Sequence, residues 1–169
     1  MRKILYFSFY YLLSALGIIH PVFKVLAING ETERLERKKR FEEARELRSK
    51  YLKKIQNKYL APLWRQEGFD LLYRVKDYHS SLIAFENAMQ TLEQSAALYG
   101  VASPLDIYFG ASMASVSLNN REKATRYFNE FSSLHELFSR NPKLGQALSN
   151  YKEGIEWVSN YLNKDTDNK

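Results

Sequence analysis

His20, His79 and His135 are the residues of this sequence best suited to binding a transition metal or moving a proton near neutral pH. A zinc site of the HExxH kind needs two histidines on one helix face. A catalytic histidine needs a nucleophile on one side and an orienting group on the other. Neither pattern is present. His20 follows an apolar N-terminal run, His79 opens a helix, and His135-Glu136 stand among polar neighbours. Gly110-Ala111-Ser112 is not a nucleophile elbow, because Gly-x-Ser-x-Gly is absent and the triplet falls in mid-helix, where small residues serve close packing. There is no glycine-rich phosphate loop. With no cysteine the chain has no thiolate ligand, thiol nucleophile or disulfide. The chain therefore reads as non-enzymatic, with no metal site and no cofactor, and its function is to be sought in its surface.

The elements that must carry that surface are helices, since no segment alternates like a strand. At 169 residues, with four prolines, seven glycines and 22 tyrosines and phenylalanines, the chain suits one packed helical domain. Its net charge is +6, and half of that lies in residues 1–27, which hold Arg2, Lys3 and Lys24 and no acid. The remainder is close to balance, which argues against nucleic acid as a partner.

Residues 1–27, MRKILYFSFYYLLSALGIIHPVFKVLA, have a cationic start, an apolar run from Ile4 to Ile19, and small residues at Val25 and Ala27. This is the pattern of a secretory signal cut before Ile28. The same stretch is long enough for an uncleaved membrane anchor, which needs about 20 apolar residues. Both forms place the body outside the cytoplasm, because Arg2 and Lys3 hold the N-terminus inside. The expected location is the periplasm or cell envelope, with the inner membrane as the anchored alternative.

Residues 28–61 read as a long charged amphipathic helix without proline or glycine between Glu31 and Leu60. Glu33–Arg37, Glu36–Arg40 and Glu46–Lys50 are favourably ordered pairs, and Phe41, Ala44, Leu47, Tyr51 and Ile55 supply an apolar stripe. The basic run 37–40 reads as a solvated helix face, with acidic lipid headgroups as its alternative contact. Further helices are predicted over about 62–75, 78–99, 104–118, 121–139 and 142–162. Their signals are Asp77 as a cap, Ser103-Pro104 as a start, Asn119-Asn120 as a turn and Asn141-Pro142 before the last helix. The tail 164–169 is polar, has nothing to bury, and is expected to be disordered.

Two of the predicted pairs share a pattern. Trp64, Gly68 and Leu71 precede Ser81, Phe85 and Ala88; Tyr108, Ala111 and Ser112 precede Ala124, Phe128 and Phe131. Residues 62–139 on this evidence resemble a degenerate tetratricopeptide (TPR) array, in which small residues let paired helices close and aromatics fill the gap between pairs. The resemblance implies an all-α fold of stacked antiparallel hairpins across 62–163. It assigns packing to Trp64, Gly68, Ser81, Phe85, Ala88, Ala124, Phe128 and Phe131. Phe85 and Phe128 stand 43 residues apart, beyond the family's 34, and the first unit needs one extra residue in its turn to align.

By the same resemblance, the groove lined by first helices binds a partner through Arg65, Phe69, Leu72 and Tyr73, then Phe109, Met113, Val116 and Ser117. These residues could instead pack against the 31–60 helix. The function implied is a non-enzymatic adaptor or scaffold in the cell envelope of a bacterium, part of a larger assembly. Its partners are other proteins or a second copy of itself, and the membrane if residues 1–27 stay attached. A membrane-anchored protein with a coiled-coil stalk over 31–60 that drives oligomerisation is the alternative.

Overall fold

The structure is a computed structural model that describes residues 22–54, 60–93, 103–141 and 148–164. All of its regular elements are helical, and there is no strand among the described residues. The elements are α1 (Val22–Arg37), α2 (Phe41–Lys54), α3 (Ala61–Asp70, continuing as a π turn over Leu71–Val75), α4 (Tyr78–Glu93), α5 (Pro104–Ser117), α6 (Arg121–Ser139) and α7 (Lys152–Asn163).

Local chemistry explains most of the boundaries. Proline lies in the first turn of α3 and of α5, where its missing N–H costs nothing. Asp77 Oδ1 accepts from the Ser80 N–H (3.0 Å) at the start of α4. Asn120 Oδ1 accepts from the Lys123 N–H (3.0 Å) at the start of α6. Ser103 stands at the N-cap of α5, but its hydroxyl makes no capping bond.

Three tight turns repeat one device. Lys39, Lys76 and Asn119 adopt left-handed backbone with φ of 59°, 61° and 54°. Each is followed five positions later by a small, fully buried residue: Ala44, Ser81 or Ala124. In this way the chain turns α1 into α2, α3 into α4 and α5 into α6, and the helices of each pair pack on one another. α4 also packs on α5, and α7 lies against both α5 and α6. Among the described residues the largest apolar cluster joins α3 to α6 through Ala61, Leu72, Leu82, Phe85, Ala88, Ile107, Ala111 and Tyr127.

The first of these turns corrects the long helix expected over 28–61. The chain reverses at Lys38–Arg40, so the described part of that segment is two helices packed on each other. No continuous stalk spans 31–54. The pairing of charges changes with it: Arg40 bonds Glu43, while Glu36 bonds Arg48. The last helix is also shorter than expected, because a turn at Asn150–Tyr151 precedes α7. Residues 1–21, 55–59, 94–102, 142–147 and 165–169 lie outside the described residues. They include the apolar N-terminal run, most of the expected tail, and Asn141-Pro142's proline.

Candidate binding face on α3 and α5

Arg65, Phe69 and Tyr73 follow one another at helical spacing along α3 and its π turn. The π turn over Leu71–Val75 carries Tyr73. The Phe69 and Tyr73 rings stack in parallel, with centroids 5.9 Å apart and planes within 1°. Phe69 also meets Phe85 edge-on at 5.0 Å, which fixes the stack to the core. Tyr73 remains 54% exposed, and its hydroxyl lies 3.4 Å from Met113 Sδ on α5. The result is a soft, partly exposed ledge that bridges α3 and α5.

A polar chain runs beside the ledge. Arg65 forms an ion pair with Asp106 at the start of α5, and the Tyr151 hydroxyl donates to the other oxygen of that carboxylate. Asp106 and Met113 are seven positions apart, so they share a face of α5. Burial raises the Tyr151 phenol well above its ordinary range, and its bond to anionic Asp106 raises it further. Burial followed by the Asp106 charge also raises the Tyr73 phenol. Both phenols are therefore neutral across physiological pH and serve as hydrogen-bonding groups rather than as bases.

Of the residues the sequence nominates for a groove, the structure brings Arg65, Phe69, Tyr73 and Met113 together. Ser117 is half-buried near the end of α5. Leu72, Phe109 and Val116 are corrections, because all three belong to the core. Leu72 packs in the cluster of Ala61 and Phe85. Phe109 is covered by Phe131 and Tyr151, with ring centroids 5.0 Å away in each case. Val116 packs with Ala124 and Val158. The two on α5 are buried because α7 covers that side of the helix: a Cβ on Gly154 would sit 2.2 Å from the Phe109 ring. Asp106 and Tyr151 complete the face and were not nominated. Asp106 had a signal in its seven-residue offset from Met113, whereas Tyr151 depends on where α7 docks.

The nominated packing residues mostly occupy the core. Gly68, Ser81, Phe85, Ala88, Ala124 and Phe131 are buried, while Trp64 and Phe128 are half-exposed. The Ser81 hydroxyl donates to the Gly68 carbonyl at 2.8 Å. Phe85 sits between two glycines: an added Cβ would stand 2.8 Å from its ring at Gly68 and 2.2 Å at Gly110.

Two further charged clusters lie away from this face. Arg48 is fully buried and binds Glu36, Glu67 (3.0 Å) and Asp70 (3.1 Å), with Arg45 and Arg74 on the same acids. Arg74 also lies over the Phe41 ring at 4.0 Å. With Arg34 on Glu31 and Arg40 on Glu43, several arginines of the basic stretch 34–58 are paired with acids. The second cluster borders a cleft of about 470 Å³ between α4, α5 and α6, where Glu86 accepts from Lys123 and Tyr127.

None of these groups forms a catalytic set. The Ser112 and Ser115 hydroxyls donate to backbone carbonyls one turn away. His135 packs between the Phe131 and Tyr151 rings, and His79 is exposed at the start of α4. No cluster of acids and histidines arranged to hold a metal occurs among the described residues. Nor is any described helix long and apolar enough to cross a membrane. No family model matches the chain, and neither a curated protein nor a solved structure is significantly similar to it.

Proposed function

We propose that the protein is a non-enzymatic adaptor that holds a partner protein on the face shared by α3 and α5. The observation that carries this reading is the Phe69–Tyr73–Met113 ledge, which places an exposed aromatic and a polarisable thioether beside the Arg65–Asp106–Tyr151 chain. A rigid aromatic anchor next to an adaptable methionine, rimmed by paired charge, suits the apolar side of a partner helix. The repeated left-handed turn with its small buried residue supports a reading of the body as a short TPR-like stack, with α1/α2, α3/α4 and α5/α6 as successive hairpins and α7 closing one end. In that arrangement the ledge lies on first helices, where such arrays bind peptides. The cationic start and apolar run of residues 1–19 support export to the cell envelope, with the stack outside the cytoplasm as one part of a larger assembly.

A photo-crosslinking residue at position 73 in the full chain tests the face in cells. It is expected to capture a defined protein, and Met113→Glu, with its fold checked by circular dichroism because Met113 also packs on the core, is expected to abolish the capture. Equal capture with and without Met113→Glu rejects this face.

A further inference from the structure

α1 runs without a break from Val22 to Arg37, straight through the bond after Ala27 that the sequence offers to a signal peptidase. Val25 and Ile28, on either side of that bond, are both completely buried. They form one cluster with Tyr51 of α2, Leu60 and Leu63, and with the half-buried Leu47, Leu52 and Trp64. Val22 packs on the neighbouring cluster of Ala61, Leu72 and Phe85. One turn after the bond, the Thr32 hydroxyl donates to Gln66 Oε1 (2.6 Å), and Gln66 reaches Glu33 from α3. The helix is thus fastened to α2 and α3 on both sides of the candidate cut. A cut after Ala27 would remove its first turn and a half and take Val25 out of a closed cluster. An N-terminal leader is discarded without cost only when the folded body makes no use of it, and here the body uses residues 22–27.

We propose that residues 22–27 are retained as the start of α1, so that the exported chain stays joined to its apolar run as a membrane anchor instead of being released by a cut after Ala27. This rests on the export reading given above. His20 and Pro21 are then the whole connection between Ile19 and α1. At no more than about 3.6 Å per residue, they hold the start of α1 within roughly 10 Å of the bilayer. The basic turn at Lys38–Arg40 lies at the other end of α1, about 22 Å along the helix axis. The Phe23 end of the helix is therefore the end tethered next to the bilayer.

The test is the intact mass of the full chain, carrying a C-terminal tag, recovered from a bacterium after separation of membrane and soluble fractions. The expected result is the uncut chain in the membrane fraction, resistant to alkaline carbonate. A mass that begins at Ile28 overturns the retention of 22–27. A shorter leader removed upstream of Val22, with release into the soluble fraction, overturns the anchor. An uncut chain in the cytoplasm rejects the export reading itself, and a second measurement keeps that failure separate. In the purified full chain Val25→Asp is expected to lower Tm by about 10 °C, while Gly30→Asp, open to solvent, leaves it within about 3 °C. Equal melting of the two variants overturns the assignment of 22–27 to the folded body in any compartment.

Discussion

Nine residues after the left-handed Lys39 the chain places Arg48, and nine residues after the left-handed Lys76 it places Phe85. Both side chains are completely buried where one pair of helices meets the next. At the second seam the plug works by shape: Phe85 fills a slot that two glycines, Gly68 and Gly110, leave open on either side. At the first seam the plug works by charge, since Arg48 is surrounded by Glu36, Glu67 and Asp70. The rims differ too. α4 and α6 are bridged by Glu86 with Lys123 and Tyr127, whereas α2 and α4 leave an apolar cleft of about 270 Å³ lined by Leu52, Trp64, Leu71 and Ile83. Burying ions costs most of what their attraction returns, so the first seam adds little net stability beyond what an apolar plug of the same shape would give. The second gains stability from close packing. One backbone position can thus be filled by either chemistry, provided the neighbours change with it.

The largest expected effects come from removing either plug, and the way each loss is repaired separates them. Arg48→Met takes the fully buried cation away from Glu67 and Asp70, leaving them the part-exposed Arg45 and Arg74, and is expected to cost about 3–5 kcal/mol in urea unfolding. Adding Glu67→Gln and Asp70→Asn to that variant is expected to return at least half of the loss, because the stranded charge is gone. Phe85→Ala is expected to cost about 3–5 kcal/mol through the cavity it leaves. No neutralising substitution should return any of it. If the triple variant is as unstable as Arg48→Met alone, the first seam is held by packing and the contrast fails.

Glycines extend the comparison at smaller amplitude. Gly110→Ala pushes a methyl into the Phe85 ring and is expected to destabilise by about 1–3 kcal/mol. Gly30 on α1 has no atom within 4 Å of an added Cβ, so Gly30→Ala is expected to stabilise by about 0.5–1 kcal/mol through helix propensity. Opposite signs in thermal melts are the prediction. A loss at both positions would mean that α1 is as tightly enclosed as α5.

The plug at Phe85 was legible in the sequence because its neighbours advertise themselves. Asp77 and Asn119-Asn120 are turn residues, and Ser81 and Ala88 mark a face that admits a second helix. The equivalent unit at 39–51 was hidden. Its turn is Lys38-Lys39-Arg40, with none of the glycine, proline or asparagine that announces a reversal, and an arginine stands where an aromatic would have exposed the pattern. Helical periodicity runs through such a turn unchanged, so 31–60 read as one element. The π turn that ends α3 was not legible, since nothing in the residue types of Leu71–Val75 distinguishes a π turn from an α turn. The binding face was half legible. The resemblance to the repeat family nominates Phe69, Tyr73 and Met113, but neither it nor periodicity can say which side of α5 a later helix will cover. Phe109 and Val116 were assigned to the wrong side for that reason.

The smallest expected effect concerns the rim of the second seam, and it has a definite sign. Burial raises the Glu86 carboxyl, but bonds from Lys123 Nζ (2.7 Å) and the Tyr127 hydroxyl (2.6 Å) outweigh it and hold the group below its ordinary value. A carboxyl depressed in the folded state contributes stability above its unfolded pKa of about 4.3, and that contribution is lost as pH falls through the folded value. Tyr127 is pushed up to about 12, first by burial and then by its bond to Glu86. Its contribution is therefore complete below pH 10 and lost only as pH rises from there toward 12. Across neutral pH both groups are in the forms that bond. Wild type is accordingly expected to exceed Glu86→Gln in urea midpoint at pH 7, with a smaller gap at pH 3. A gap of the same size at both pH values would mean that Glu86 acts by packing alone, and the rim of the second seam would then resemble its apolar centre.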